Sequence, residues 1–174
     1  MLALITGKKN SILRSENKEI KIITPNIKKL ALDMFIKMHE CKGIGLAAPQ
    51  IGKNTQLFIV DGIAFEDESQ RGNSKFKFEK IDKPDIKNGY VFINPVINKI
   101  SKPYDNEPEG CLSIPKQQGL VKRARRVNIR AKNLKGEEFK LQAKGFLARV
   151  LQHEYDHLQG VLIADKWHII KHKI

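Results

Sequence analysis

Cysteine is scarce in this sequence: Cys41 and Cys111 are the only two among 174 residues. Two thiols are too few for the disulfide framework of a small secreted domain, and they suit a reducing compartment. No segment approaches the run of about 20 apolar residues that crosses a membrane. The N-terminus also has no basic stretch leading into an apolar run, as a signal peptide has. We therefore expect a cytoplasmic protein with no membrane partner.

Acidic residues are also few, with 19 against 32 Lys and Arg, and the net charge of +13 attracts polyanions. The densest basic cluster, residues 122–126, leads into residues 127–132, where apolar and polar residues alternate as on a half-exposed strand. No aromatic residues interleave with the cluster, as a stacking platform for single-stranded nucleic acid would need. We expect a solvated sheet face with no sequence-specific nucleic acid binding, and a docking surface is the alternative.

The hydrophobic content of 41% suits one compact domain over residues 1–174 with its own core. Thr24 and Pro25 predict the N-cap and first position of an early helix, which Gly43 ends. Residues 56–60, 90–97, 127–131 and 139–143 have strand patterns, and the last two flank a turn. The pattern predicts an α+β fold of mostly antiparallel strands around a central helix, with an additional N-terminal helix. Residues 66–89 are polar and predict an exposed loop insertion.

The expected central helix carries the most informative segment, His153-Glu154-Tyr155-Asp156-His157, an H-E-x-x-H pattern. Residues four apart share one face of a helix, so His153 and His157 can reach the same ion. Glu154 points about a quarter turn away, which leaves its carboxylate free to act on water instead of ligating the metal. The segment predicts the metal site of a hydrolase.

The third metal ligand has to come from elsewhere, since a catalytic metal usually has three protein ligands and one open position. A third histidine three residues after Gly160 is excluded, because Ile163 stands there. Cys111 is the candidate, since Gly110 before it permits a close approach of the backbone. Taken alone, such a cysteine is equally well an inert core residue. Beside an incomplete H-E-x-x-H site, we favour Cys111 as a ligand.

Residues 43–50, Gly-Ile-Gly-Leu-Ala-Ala-Pro-Gln, place small residues directly after the early helix. Small residues allow the backbone to approach another element or a ligand. A tight turn between helix and strand is the simpler interpretation and stays open. Gln50 ends this run with an amide that can donate to a developing oxyanion.

Together, the three segments resemble the peptide deformylase family. That family is marked by G-I-G-L-A-A-x-Q, then E-G-C-L-S, then Q-H-E-x-D-H-L-x-G. Residues 43–50, 109–113 and 152–160 match these patterns at every defining position and in the same order. The resemblance implies an enzyme that removes the formyl group from the N-terminal methionine of nascent polypeptides and releases formate.

The resemblance also implies roles for individual residues. A divalent metal ion would be held by Cys111, His153 and His157, with Fe2+ as the expected working ion and Zn2+, Ni2+ or Co2+ as alternatives in purified protein. Glu154 would be the general acid and base. The formyl oxygen would be held by two donors, the side-chain amide of Gln50 and the backbone N–H of Leu112.

Substrate contacts are expected from residues on all three segments. The resemblance places Gly45 in the substrate groove, and we also expect substrate contacts from Glu109 and Gly110, which directly precede the proposed cysteine ligand. Methionine is flexible and apolar, so its pocket should be built from apolar side chains near the metal. Our candidates for that pocket are Ile44, Phe146 and Leu147.

The expected partners are N-formylmethionyl nascent peptides and, through the positive charge, the ribosome in a transient association. Two other classes of function remain open. A metallopeptidase would use the same glutamate to cleave internal peptide bonds. A noncatalytic binding module would use its metal for structure, but structural zinc usually has four protein ligands and the motifs offer three.

Overall fold

The structure, a computed structural model, describes residues 2–70, 89–100 and 104–169. The helices in these ranges are α1 (Ser11–Arg14), α2 (Pro25–Glu40), α3 (Ile63–Gln70) and α4 (Gly145–Leu158). The strands are β1 (Gly45–Ala47), β2 (Leu57–Asp61), β3 (Gly89–Ile100), β4 (Tyr104–Cys111), β5 (Ile114–Ala124), β6 (Arg126–Lys132), β7 (Glu138–Lys144) and β8 (Trp167–Ile169). Short 3₁₀ helices span Ala48–Ile51 and Ile163–Asp165.

The strands form two antiparallel sheets. The first has the order β1-β2-β3-β6-β7, and the second has the order β4-β5-β8. Neighbouring strands pair antiparallel throughout both sheets. This arrangement confirms the predicted α+β class with antiparallel strands and few helices.

Helix α2 packs on one face of the first sheet. The side chain of Thr24 accepts a hydrogen bond from the N–H of Ile27, and Pro25 occupies the first turn, where its missing N–H costs nothing. Side chains on one face of α2 are buried against every second residue of the sheet strands. Successive strand residues point to opposite faces of the sheet, so only alternate residues face α2. The buried set is Ala31, Met34, Phe35, Met38, Leu57, Ile59, Val91 and Ile93.

Helix α4 packs on the opposite face of the same sheet. Three aromatic rings form the centre of this core: the ring centroids of Phe58 and Phe92 lie 4.7 Å apart, and those of Phe92 and Phe139 lie 5.3 Å apart. Leu147 and Leu151 of α4 are fully buried against this cluster. The helix also contacts β5 of the second sheet, so its position is fixed by both sheets.

The expected bounds of the polar insertion need correction. Residues 66–89 are not one loop, because Glu66 to Gln70 continue helix α3 and Gly89 begins β3. Residues 71–88 lie outside the described residues.

Strands β4 and β5 were not predicted, since β4 has the polar sequence YDNEPEGC and no apolar alternation. Among the described helices, none has the length and hydropathy that a transmembrane span requires.

Candidate metal centre

Helix α4 presents the H-E-x-x-H residues at the floor of a cleft. The buried apolar side of the helix packs in the core. Gly160, two residues after the end of α4, has a left-handed φ of 67°, as is common where a helix ends. The ring centroids of His153 and His157 lie 5.0 Å apart, one turn from each other on the same face. The two imidazoles are thereby aimed at a common point, as the spacing predicts.

Cys111 comes from the second sheet to meet these two histidines. It is the last residue of β4, directly before the tight turn at Leu112 and Ser113. Its Sγ lies 3.3 Å from Nε2 of His157. Ligand atoms of Cys111, His153 and His157 all lie within 4.8 Å of one another. The structure therefore brings together the three residues that the sequence predicts as metal ligands.

The donor set fits a divalent transition metal. One thiolate and two imidazoles are ligands that zinc and ferrous iron both accept, and three protein ligands leave one position open. Nδ1 of His153 lies 3.0 Å from Oε2 of Glu109, an acceptor, so this nitrogen carries the hydrogen and Nε2 is left for a metal. A bound histidine is commonly oriented by a carboxylate in this way.

Glu109 lines the cleft and is also held by three charged or ligand side chains, His153, Arg123 and Arg149. Its carboxylate accepts hydrogen bonds from Arg123 at 2.9 Å and from Arg149 at 2.7 Å, in addition to the contact with His153. Only 7% of Glu109 is exposed. Burial alone would raise the pKa of Glu109, but the hydrogen bonds from His153 and Arg123 outweigh burial and lower it. Glu109 is therefore ionised, and its carboxylate contacts Nδ1 of His153.

Arg123 and Arg149 are two charged residues of the site that sequence reasoning missed. Arg123 belongs to the basic cluster expected on a solvated sheet face, but it is only 3% exposed and also pairs with Asp156. Nη1 of Arg149 additionally donates to the backbone oxygen of Val121 at 2.8 Å. The sequence does not indicate these pairs, because each joins residues at least 14 positions apart.

The pKa of His153 reflects its place between Glu109 and Cys111. Burial lowers this pKa, but the hydrogen bonds to Cys111 and Glu109 outweigh burial and raise it to about 10. His157 behaves oppositely, since burial and the neighbouring His153 lower its pKa. A metal ligand must be deprotonated, so His153 has to lose a proton when an ion binds.

Glu154 is buried beside the three ligands, with only 4% of the residue exposed. Among the described residues its Oε2 has no hydrogen-bond partner. Burial raises the pKa of Glu154 to about 7, against the lowering effect of the positive charges on His153 and Arg123. A carboxyl with a pKa near neutrality can take up and give back a proton at working pH.

Gln50 is held rigidly next to Cys111 by the 3₁₀ helix. Its Oε1 accepts from the backbone N–H of Ala47 at 2.8 Å, so its amide nitrogen must point the other way. Nε2 of Gln50 donates to Oγ of Ser113 at 3.2 Å and lies 3.6 Å from Sγ of Cys111. Leu112 follows Cys111 directly and lines the same cleft.

The cleft over these residues has a volume of about 1070 Å³. Its lining includes most of the predicted substrate residues, namely Ile44, Gly45, Glu109, Gly110 and Phe146, together with Leu4, Val150 and Trp167, which were not predicted. Leu147 is the exception. It is fully buried in the core beneath α4 and does not line the cleft.

The helical period explains the error at Leu147. Phe146, Val150 and His153 recur four and three residues apart and share the cleft face of α4. Leu147 and Leu151 share the neighbouring face, which points into the core. Adjacent residues on a helix differ by about 100° in direction, and here this rotation turns Phe146 toward the cleft and Leu147 into the core.

The fold and the site together define a class. A cysteine and two histidines suited to a divalent ion lie next to a buried glutamate at the base of a cleft, as in a metal-dependent hydrolase. The family follows from comparison with known proteins. Residues 2–173 match the family model described as polypeptide deformylase, and the chain belongs to that family.

Individual relatives agree with this assignment. The chain is 40% identical over 156 residues to peptide deformylase 1 of Clostridium perfringens, covering 90% of this chain and 91% of the relative. It is 40% identical over 155 residues to peptide deformylase of Dictyoglomus thermophilum, covering 89% and 86%. The crystal structure of peptide deformylase from Thermotoga maritima matches with a TM-score of 0.79 at 31% identity, covering 97% of this chain and 98% of that one.

Proposed function

We propose a role for each residue of this cleft in the family's reaction. The chain is a peptide deformylase, a hydrolase of protein biosynthesis that removes the formyl group from N-formylmethionyl nascent peptides. The observation that carries the assignment of roles is the convergence of Cys111, His153 and His157 next to the Glu154 carboxylate. Each of these residues then has a task that its surroundings support.

Cys111, His153 and His157 hold the divalent metal ion on which the family depends. When bound, such an ion acts as a Lewis acid toward a carbonyl and lowers the pKa of water toward about 7. We propose Fe2+ as the working ion, with Zn2+, Ni2+ or Co2+ in protein purified without precautions. General affinity order favours zinc over ferrous iron, so the metal found after purification need not be the working one.

Glu154 acts as the general base and then as the general acid. Its pKa of about 7 allows the carboxylate to accept a proton from water and the carboxylic acid to deliver it to the departing amine. The lone pairs of its Oε2 are not engaged by any described residue. This atom is therefore available for the transferred proton.

Gln50 and Leu112 stabilise the negative charge that develops on the formyl oxygen. The bond from Ala47 to Oε1 fixes the amide of Gln50, so its N–H group is directed before the substrate arrives. The backbone N–H of Leu112 is the second donor. Removing one donor of this kind typically costs on the order of 3 kcal/mol in transition-state stabilisation.

The methionine side chain occupies an apolar pocket formed by Ile44, Phe146 and Val150. Val150 takes the place first assigned to Leu147, since it lies one turn from Phe146 on the face that lines the cleft. Gly45 and Gly110 leave room for the peptide backbone beside the strands. Residues from Leu4 to Trp167 line one cleft, which supports residues 1–174 acting as a single catalytic domain.

The site of action follows from the substrate. Nascent peptides are found at ribosomes, so we place the activity in the cytoplasm and propose a transient association with the ribosome. The net charge of +13 supports that association through attraction to ribosomal phosphates. An association of this origin should weaken as the salt concentration rises.

The decisive experiment measures formate release from a formyl-methionyl peptide. Protein is prepared anaerobically, stripped of metal and loaded separately with Fe2+, Ni2+, Co2+ or Zn2+. We expect formate release by at least the iron form, and no cleavage of the corresponding unformylated peptide. Cleavage of internal peptide bonds would instead support a metallopeptidase, and metal binding without either reaction would support a noncatalytic module.

A further inference from the structure

Two lysines that line the cleft, Lys42 and Lys116, share an unusual backbone conformation. Their φ angles are 54° and 62°, and Asn94 is the third non-glycine residue with positive φ in the described part of the chain. The left-handed region is unfavourable for L side chains, and residues held there cluster at functional sites. The backbone alone would be better served by glycine or asparagine at both positions.

Lys42 ends helix α2 in a position that usually belongs to glycine. Its N–H donates to the oxygen of His39 at 3.0 Å, and the N–H of Gly43 donates to the oxygen of Met38 at 2.9 Å. This pair of bonds is the Schellman pattern, in which the residue with positive φ is most often glycine. A positive charge near the C-terminus of a helix stabilises the helix, but Lys37 and His39 already supply basic groups in this last turn.

Lys116 lies in a bulge of the second sheet. Gly110 of β4 pairs with Gln118, and the next residue, Cys111, pairs with Ile114. Residues 115–117 therefore have no paired residue on β4. Bulges of this kind are frequent beside active sites, where they redirect a side chain. Here the bulge places Lys116 along the cleft, on the same hairpin that carries Cys111.

The exposed charge along the cleft is positive. The two acidic residues in the lining, Glu109 and Glu154, are buried, with 7% and 4% of each exposed. Arg149 in the lining is also buried and pairs with Glu109. Lys42 and Lys116 are both exposed. A peptide extending from the metal centre toward solvent therefore meets ammonium groups and no exposed carboxylate in the cleft lining.

We propose that Lys42 and Lys116 form a cationic rim that favours formylated peptides with an acidic side chain at the second, third or fourth residue. The inference rests on the proposed function, because it requires the formyl group to lie at the metal centre. An extended chain rises about 3.4 Å per residue, so these positions lie within about 10 Å of the first residue. An exposed pair of opposite charges typically changes affinity by about threefold.

Peptides that differ in one charge test the proposal on the metal-loaded protein. The probes are formyl-Met-Ala-Glu-Ser amide and its Gln and Lys counterparts, with the acidic residue also moved to positions two and four. At low ionic strength, kcat/KM should be about threefold higher for Glu than for Gln, and lower for Lys than for Gln. The difference should arise in KM and shrink as salt is added.

Substitutions of the two lysines test whether these residues cause the preference for an acidic side chain. Lys42→Gln and Lys116→Gln should each reduce the preference, and the double variant should abolish it. Lys135→Gln, an exposed lysine in the turn between β6 and β7, is the matched control and should leave it unchanged. The double variant Lys42→Gly, Lys116→Gly should also abolish it while Tm stays equal or rises, because glycine suits the backbone at both positions.

The proposal would be overturned if kcat/KM were equal for the Glu and Gln peptides, or if the preference survived in the double variant. A fall in Tm on Lys→Gly substitution would assign the lysines a structural role and would also count against it. Absence of formate release from the Gln peptide is a different result. It would overturn the proposed function itself, which the Gln peptide tests without any charge on the third residue.

Discussion

Gly45 and Glu154 adjoin so closely that a Cβ atom at Gly45 would lie 2.7 Å from Cδ and 2.8 Å from Cγ of the glutamate. Gly45 begins β1 and Glu154 lies in α4, so the absence of a side chain on the strand makes room for the carboxylate of the helix. Glycine at this position lets the carboxylate that we propose for proton transfer lie against a strand of the first sheet. The same glycine lines the cleft, as the sequence predicts.

Gly45→Ala should therefore displace Glu154 without touching the metal ligands. A displacement of about 1 Å can cost on the order of 100-fold in rate, and we expect kcat for formate release to fall by that order. Metal content should stay at the parent level. Gly110→Ala is the comparison: a Cβ there would lie 3.7 Å from Cγ of Gln118, an ordinary contact, so any crowding of the bound peptide should raise KM and leave kcat at the parent level. A Gly45→Ala enzyme with parental kcat would contradict this relationship.

Glu154→Gln removes the proton-transferring group while keeping its size. General acid and base catalysis typically contributes 100-fold to 10,000-fold, so kcat should fall by about that range. Metal content, measured by atomic absorption, should be unaffected because the glutamate is not a ligand. If the variant instead lost its metal, Glu154 would be a ligand and the assignment of roles would be wrong.

Glu154→Gln should also change the pH dependence of stability in the metal-free protein. Burial raises the pKa of Glu154 from 4.5 to about 7. Between these values the folded protein holds a proton that the unfolded chain has lost, so stability falls as pH rises. Above pH 7 the variant should be more stable than the parent by about 3 kcal/mol at most. Urea denaturation with a chelator should show this difference at pH 8 and little difference at pH 4.5.

The three metal ligands could be predicted from the sequence because their segments resemble short patterns of a known family. His153 and His157 stand at helical spacing, and Cys111 lies in a short segment with its own pattern of small residues. Strand β2, which is almost wholly buried, and strand β7, whose residues alternate between exposed and buried, could be predicted from equally short patterns. Each of these features is determined by residues close together in the chain.

The rest depends on contacts between distant segments or on orientation. Nothing in the sequence around Arg149 indicates that it reaches Glu109, 40 positions away. Strand β4 is polar and largely exposed, so it has no apolar alternation to detect. Leu147 was misplaced because the rotation of α4 about its axis is decided by both sheets together.

Glu109→Gln tests the carboxylate that orients His153. The substitution leaves Arg123 with Asp156 as a partner but removes the carboxylate that pairs with the buried Arg149, and breaking a buried pair typically costs about 3 to 5 kcal/mol of unfolding free energy. Loss of the carboxylate partner of a ligating histidine typically weakens metal affinity by about 10-fold to 100-fold. Denaturation and competition with a zinc chelator measure the two effects separately.

Asp165→Asn is the matched control for Glu109→Gln, because Asp165 also pairs with an arginine, Arg14, but its side chain is 40% exposed. An exposed pair contributes about 1 kcal/mol or less, so this variant should lose little stability and no metal affinity. If Glu109→Gln bound zinc as tightly as the parent, the carboxylate would have no part in orienting the ligand.

The face of α4 that recognises methionine can be tested with two adjacent residues. Phe146 lines the cleft, so Phe146→Asp places a charge in the proposed pocket. This variant should lose most of the preference for formyl-methionyl over formyl-glycyl peptides, measured as a ratio of kcat/KM. Leu147→Ala should lose about 2 to 5 kcal/mol of stability, as buried leucines do, but keep the preference because Leu147 faces the core. The opposite result, an unchanged preference in Phe146→Asp and an altered one in Leu147→Ala, would mean that the pocket is formed by the other face of the helix.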